Sequence, residues 1–302
     1  MHYESKIFKD QQEWLDFRKT YIGATESASL LNHGQWSSYF KLWHLKKGTI
    51  EDDFKNTKAT DAGNDLENYV AQRFCDEYDC ETELTTEYRY NDQLKLGCST
   101  DHIVTKGVHA NKLLETKISN SLMFKKWDSE PPVQYLIQAQ HQLMFYPEIS
   151  SCIICVLTDL YDIHIFDIER HDAVIKAIQE KSLEFWDSIE SNTPPELDLE
   201  DTETVKKVYR FSTCEEINAD IHQEELVMRM IYLKKIIKES DEEVKKIQAQ
   251  LVASTTAQKV LLSGGGYLDM SITKASAGKI ITDKMVGQIL GARKEFRRCQ
   301  VR

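Results

Sequence analysis

Between Gly63 and Ser191 the periodicity of the chain changes in the order helix, strands, helix, strands, and that order restricts it to an α/β fold with helices laid against a sheet. The segment GNDLENYVAQRFCDEY places Leu66, Tyr69, Val70 and Phe74 at helical spacing, with Asn64 or Asp65 as its cap and Glu67 on its surface. EYRYNDQLKLGCSTDHIVTK and NKLLETKIS follow, rich in β-branched and aromatic residues and separated around Lys106–Gly107. They read as neighbouring strands of one sheet. In VQYLIQAQHQLMFY the residues Tyr135, Gln138, Ala139, Gln142, Leu143 and Tyr146 fall on helical intervals. SSCIICVLTD and YDIHIFDIE are again extended, and a last helix runs from about Asp172 to Ser191.

The flanks are simpler. At the start, QQEWLDFRKTYIGATESASLL predicts two short helices joined at Ile22–Gly23. Thr193-Pro194-Pro195 and the acidic stretch after it place a boundary near residues 193–210. This divides the chain into a core, 1–210, and a C-terminal extension, 211–302. The extension opens with a long charged helix whose candidate inward positions are Ile217, Ile221, Met230, Ile237, Val244 and Leu251. Such a helix is either a coiled-coil arm or a segment folded back on the core. A hairpin around Gly264–Gly266 and a basic end with Lys279, Lys284, Arg293, Lys294, Arg297, Arg298 and Arg302 complete the chain.

Composition narrows the function classes. With 302 residues, 41% hydrophobic and 29% charged, the chain buries a sizeable core and is neither disordered nor a membrane protein. No apolar run reaches the roughly 18 residues of a spanning helix, and the first residues carry charges where a signal peptide is apolar, so a cytoplasmic location is expected. Seven scattered cysteines read as reduced thiols, and Cys152 with Cys155, in an apolar stretch, as buried structural residues. A net charge of −11 counts against a protein that coats nucleic acid through a broad basic surface, so any DNA contact is expected to be local. Trp36, Tyr39, Phe40 and Trp43 suit either core packing or stacking on unpaired bases, and packing is the expectation.

The informative chemistry lies in Asp101 and the triplet Glu115-Thr116-Lys117. Residues two apart on a strand share a face, so Glu115 and Lys117 project together, and a hairpin returns them beside Asp101. Two carboxylates on adjacent strands suit Mg²⁺ or Mn²⁺, and a nearby ammonium orients and acidifies an attacking water, as phosphodiester hydrolysis requires. Glu67 is a candidate for completing the ligand set. A lone E-x-K triplet is an ordinary surface pattern, but this one directly follows Leu113-Leu114, so the strand is expected to be buried on at least one side, where unpaired charge is costly.

These segments resemble, in order, the YqaJ-type viral recombinase family, which includes the phage lambda exonuclease, within the nucleases with a P-D-(D/E)-x-K core. The resembling stretches are EWLDFRKTYIGATESASLL, YFKLWHLKKG, GNDLENYVAQRF, LGCSTDHIV, KLLETKIS and PPVQYLIQAQHQLMF, over roughly residues 10–190. The resemblance implies a restriction-endonuclease-like α/β core with a central mixed sheet flanked by helices and a C-terminal helical extension. It implies metal binding by Asp101 and Glu115, water activation by Lys117, and support from Glu67 and from Gln140 in Q-A-Q. Arg18 and Thr25 occupy the places that hold the 5′-terminal phosphate, with Ser99 as a third candidate, and a guanidinium grips phosphate with two parallel hydrogen bonds. Read from the residues alone, Arg18 is a solvated helix residue, Thr25 equally an N-cap, and Gln138 as good a site residue as Gln140. Thr25 stands where the family usually has Ser, and Ser99-Thr100 where Pro often precedes the aspartate.

The implied activity is Mg²⁺-dependent removal of nucleotides from the 5′ strand of linear duplex DNA, with Mn²⁺ able to substitute, leaving a 3′ single strand for phage-type recombination. The implied partners are double-stranded DNA ends, further copies of the chain in a ring-like homo-oligomer such as a trimer, and a single-strand annealing protein; no membrane is involved. An endonuclease on the same core and an inactive DNA-end-binding scaffold are the rival readings.

Overall fold

The computed structural model describes residues 2–52, 57–127, 129–210 and 216–273, with the backbone of 296–297 and 300–301. They fall into two compact units, 1–213 and 214–302.

In the first unit, β7 (Lys112–Ser119) and β8 (Ser151–Thr158) form the centre of a five-stranded sheet. All eight residues of β8 are buried, which is why SSCIICVLTD is a continuous apolar run rather than an alternating one. β6 (His102–Lys106) and β3 (Glu81–Leu84) extend the sheet on one side, β9 (Asp162–Glu169) on the other, in the order β3-β6-β7-β8-β9. Every pairing is antiparallel except β7 with β8, so the sheet is mixed. The pleat sends Leu113 and Cys152 into one core cluster and Leu114, Ile153, Cys155 and Leu157 into the other.

Helices cover both faces. α4 (Lys58–Tyr78) packs Val70, Ala71 and Phe74 on the Leu114 side. On the Leu113 side lie α6 (Val133–Met144) and α7 (Asp172–Glu190), through Ile137, Leu143, Ile178 and Phe185. α4 begins well before Gly63, because Thr57 caps it by accepting from the Thr60 N–H at 3.2 Å, and Gly63 lies inside the helix.

A second sheet, β1-β4-β5-β2, is built from β1 (Glu4–Lys6), β2 (Ile22–Gly23), β4 (Tyr88–Asn91) and β5 (Leu96–Cys98). The segment 88–106 therefore divides between two sheets rather than forming one, with Ser99–Asp101 at the passage from β5 to β6. Gly97 is required here, since a Cβ at that position would meet the Tyr88 ring at 2.5 Å. The N-terminal segment gives α1 (Gln11–Arg18), then the strand Ile22–Gly23, a 3₁₀ turn at Ala24–Glu26 and α2 (Ser27–Leu30). α3 (Tyr39–Lys47) buries Phe40 and Trp43 and ends on left-handed Gly48 at φ 75, whereas Trp36 is exposed. Beyond α5 (Ser121–Phe124), α8 (Thr202–Val208) closes this unit, with the Ser38 hydroxyl donating to Asp201 at 2.8 Å.

The second unit holds α9 (Ile221–Ser254) and the hairpin of β10 (Lys259–Leu261) and β11 (Tyr267–Asp269). None of the expected inward positions of α9 is buried; the helix buries no residue at all among those described. Lys279, Lys284, Arg293, Lys294, Arg298 and Arg302 lie outside the described residues, and Arg297 is described in its backbone only.

Candidate active site

The antiparallel register of β6 and β7 sets His102 opposite Leu114, so Asp101, one residue before β6, arrives beside Glu115 and Thr116. One oxygen of the Asp101 carboxylate accepts from both the backbone N–H and the hydroxyl of Thr116, each at 2.8 Å. Two residues apart on β7, Glu115 and Lys117 share a face, and the Lys117 ammonium donates to Glu115. Glu115 is only 5% exposed. Such a carboxylate is tolerable because its remaining lone pairs are also used: Gln138 and Gln142 of α6 each donate to it at 2.6 Å. Lys117 lies over the ring of Tyr135, 5.1 Å from its centre, which encloses the ammonium on a further side.

The electrostatics show a site short of positive charge. Burial, then the charges of Glu115 and Glu67, push the Asp101 carboxyl up to about 8 against the opposing pull of Lys117 and the Thr116 N–H. Glu67, on α4, is raised as well, by burial and by Glu115. Burial alone would depress the Lys117 ammonium, but Glu115 and Asp101 outweigh it, and Lys117 is held above its ordinary value. The three carboxylates thus feel one another. Among the described residues no three His, Cys, Asp or Glu side chains are already gathered closely enough to hold a metal ion. An all-oxygen set in which the charge of Glu115 raises the proton affinity of both Asp101 and Glu67 nevertheless fits a hard divalent cation, which would relieve that repulsion.

Gln140 does not join this group. Its amide donates to the Glu169 carbonyl at 2.8 Å and accepts from the His171 N–H at 2.7 Å, tying α6 to the end of β9. The correction follows from helix geometry: residues four apart share a face, so Gln138 and Gln142 look at β7 while Gln140, midway between them, looks elsewhere. Tyr135 stands three residues before Gln138, and the common helical face of Tyr135, Gln138 and Gln142 is the sequence signal for the pair.

Arg18, Thr25 and Ser99 belong to a neighbouring arrangement around β2 and β5. Thr25 and Ser99 are exposed and Arg18 is half-buried, near Gly23. The loop bearing Thr25 is held from beneath by two residues not apparent in the sequence. Glu26 accepts from the Gly23 N–H at 2.8 Å and from the Lys46 ammonium at 2.8 Å, and Lys46 also donates to the carbonyls of Arg18 and Tyr21. Burial would raise Glu26, yet Lys46 and Arg18 hold it below the usual carboxylate range.

α6 links this loop to the carboxylates. Gln142, besides holding Glu115, donates to the Ser99 carbonyl at 3.3 Å. His141, fully buried and depressed to about 4 by that burial, lies 3.2 Å from the Gly97 carbonyl and 2.5 Å from the Ser27 hydroxyl. A neutral imidazole whose Nε2–H donates to Gly97 leaves Nδ1 to accept from Ser27. His102, also buried, has no hydrogen-bond partner at either ring nitrogen among the described residues.

Residues 13–146 match the family model of the YqaJ-like viral recombinase domain. The chain is 26% identical over 250 residues to the uncharacterized protein YqaJ of Bacillus subtilis (strain 168), which covers 80% of this chain and 77% of that protein. Among solved structures it is similar to an alkaline exonuclease, LHK-Exo, from Laribacter hongkongensis. That match has 20% identity over 60% of this chain and 94% of that one, with a TM-score of 0.49. It is also similar to a phage-related exonuclease from Haemophilus somnus 129PT, at 15% identity over 57% of this chain and 96% of that one, with a TM-score of 0.42. No helix among the described residues is long and apolar enough to cross a membrane.

Proposed function

We propose, from the match of residues 13–146 to the family model of the YqaJ-like viral recombinase domain, that the chain is a Mg²⁺-dependent exonuclease that degrades the 5′ strand of linear duplex DNA. The observation that carries the reading is the buried Glu115, braced by Lys117, Gln138 and Gln142 beside Asp101. A purely structural core would not place a carboxylate there, because an apolar residue of similar size costs less to bury. Asp101 and Glu115, with Glu67, would hold a divalent cation, Mg²⁺ with Mn²⁺ as substitute, which supplies charge neutralisation at the phosphoryl oxygens and acidifies water. Lys117 contributes a proton-bearing ammonium fixed between Glu115 and Tyr135, suited to orienting a water against a phosphodiester. Gln138 and Gln142 fix both carboxylate oxygens of Glu115, so that its lone pairs are aimed before substrate arrives.

End recognition is assigned to Arg18, Thr25 and Ser99 as a receptor for the 5′-phosphate, a local contact compatible with a net charge of −11. The same reading includes a ring-like homo-oligomer, a trimer, around the duplex and delivery of the 3′ strand to a single-strand annealing protein. The test is release of nucleotides from linear duplex DNA with a labelled 5′-phosphate, beside a closed circle, in Mg²⁺ or EDTA, with Lys117→Ala as control. Mg²⁺-dependent loss of label from the linear DNA alone, abolished in the variant, is the expected result. Cutting of the circle would replace this reading with an endonuclease, and end binding without cutting would replace it with a scaffold.

A further inference from the structure

Among the described elements, the longest leaves most of its apolar side chains exposed. α9 spans Ile221–Ser254, 34 residues, and buries none of them; Ile237 is 60% exposed, Val244 50% and Met230 48%. A helix in a protein draws most of its stability from an apolar face packed on something else, so a face this apolar and this bare implies an occupant.

The spacing of that face identifies the kind of occupant. From Leu226 to Leu251 the inward residues alternate by four and three: Leu226, Met230, Leu233, Ile237, Ser240, Val244, Ile247, Leu251. This is a heptad seam with Met230, Ile237, Val244 and Leu251 at a and Leu226, Leu233, Ser240 and Ile247 at d, broken only at Ser240. At 1.5 Å per residue it runs for about 38 Å.

Charge then sets orientation. Residues 229–238 contain Arg229, Lys234, Lys235 and Lys238 and no acid; residues 239–243 contain Glu239, Asp241, Glu242 and Glu243 and no base. Two copies laid antiparallel, with their two-fold axis between Lys238 and Glu239, bring each basic block against the acidic block of the other copy. The same register seats every a residue on a d residue: Leu226 on Leu251, Met230 on Ile247, Leu233 on Val244 and Ile237 on Ser240, each layer occurring twice. Beside the seam it puts Lys234 of each copy against Asp241 of the other. A parallel pair would instead set Arg229 of one copy against Lys234 of the other, like charge on like.

We propose that α9 is a homotypic docking element, pairing antiparallel with α9 of a second copy of this chain through the Leu226–Leu251 seam. This pairing does not depend on the nuclease reading and adds to whatever assembly the first unit forms. Any assembly joined arm to arm loses half its mass when the arms part.

Light scattering on the full-length protein at micromolar concentration tests this. Ile237→Glu should halve the mass. Lys234→Asp and Asp241→Lys should each weaken association, raising the dissociation constant about tenfold for two reversed pairs, and the double variant Lys234→Asp/Asp241→Lys should restore it. Tighter association in Lys234→Asp would show a parallel pair and overturn the orientation. An unchanged mass in Ile237→Glu would overturn the docking element altogether. Because the charge variants leave the apolar seam intact, and the double variant must recover what the single ones lose, a folding defect cannot imitate the pattern.

Discussion

Replacing Asp101 with Asn takes one charge from the crowded carboxylates while keeping an oxygen that can accept from Thr116. In the folded chain the Asp101 carboxyl is raised from 3.8 to about 8. An acid raised on folding favours the folded state fully only while protonated, below its unfolded value, and that contribution is lost as pH rises through the folded value. The loss is about 1.4 kcal/mol for each pH unit between those limits, so about 6 kcal/mol at most. Relaxation of the site and entry of water as the carboxylate ionises reduce it to about 2–3 kcal/mol. Asn does not titrate. The variant should therefore gain on the wild type between pH 5 and pH 8, and the gain should level off above. At about 2–4 °C per kcal/mol for a unit of this size, it amounts to roughly 5–10 °C in Tm. Thermal unfolding of both proteins in EDTA at pH 5, 7 and 9 measures it, and titrating groups remote from Asp101 cancel in the difference. Adding Mg²⁺ at pH 8 should raise the wild type Tm and leave the variant where it was. A difference between the two that is flat from pH 5 to pH 9 would refute the reasoning that burial and the neighbouring carboxylates keep Asp101 neutral, and equal Mg²⁺ stabilisation would remove it from the cation site.

Three further outcomes are expected. Lys117→Ala should lower kcat by about 10²–10⁴ with little change in KM, as measured on linear duplex; a loss confined to KM would make Lys117 a DNA-binding residue instead. Gln138→Ala should cost about 10–100-fold in Mg²⁺ affinity or activity, whereas Gln140→Ala should leave activity near wild type and lower stability by about 1 kcal/mol; equal activity losses would contradict the separation of their faces. Lys46→Met leaves Glu26 without its ammonium and should destabilise by about 3 kcal/mol in urea unfolding while raising KM for 5′-phosphorylated ends, and a variant within 1 kcal/mol of wild type with unchanged KM would show that the pair does not support the loop.

How much of this was legible depended on whether the determining contact was local. The pairing of Asp101 with the Glu-Thr-Lys strand was readable because two local rules, strand alternation and a short return, specify it. The apolar run at 151–157 was readable for the same reason, since a strand covered on both faces has no polar positions. Gln140 was misplaced because a motif spacing was given precedence over the helical interval that already set Gln138 and Gln142 on one face. α4 starts earlier than the cap expected at Asn64 or Asp65, because the cap at Thr57 carries the helix through Gly63. Lys46 and His141 left no signal, and Glu26 showed only its local contact with Gly23, because their roles come from partners brought to them by the fold: Lys46 for Glu26, Ser27 and Gly97 for His141. Buried polar networks are long-range objects, and a single sequence records their members without their pairing.

The parallel pair at the centre of the five-stranded sheet, β7 with β8, also bears on the order of events during synthesis. Parallel neighbours cannot be joined by a tight turn, so the chain must travel out through α6 and come back before β7 has its second neighbour. The strand with Glu115 and Lys117 thus leaves the ribosome ahead of the helix that braces it and the strand that covers its edge. Until residue 158 has emerged, the nascent chain carries the site's charged residues without the surroundings that shape them. Limited proteolysis of chains ending at 150 should accordingly find β7 open to cleavage. An enzyme able to cut DNA would be inert in its unfinished form, silenced by the path its own backbone takes.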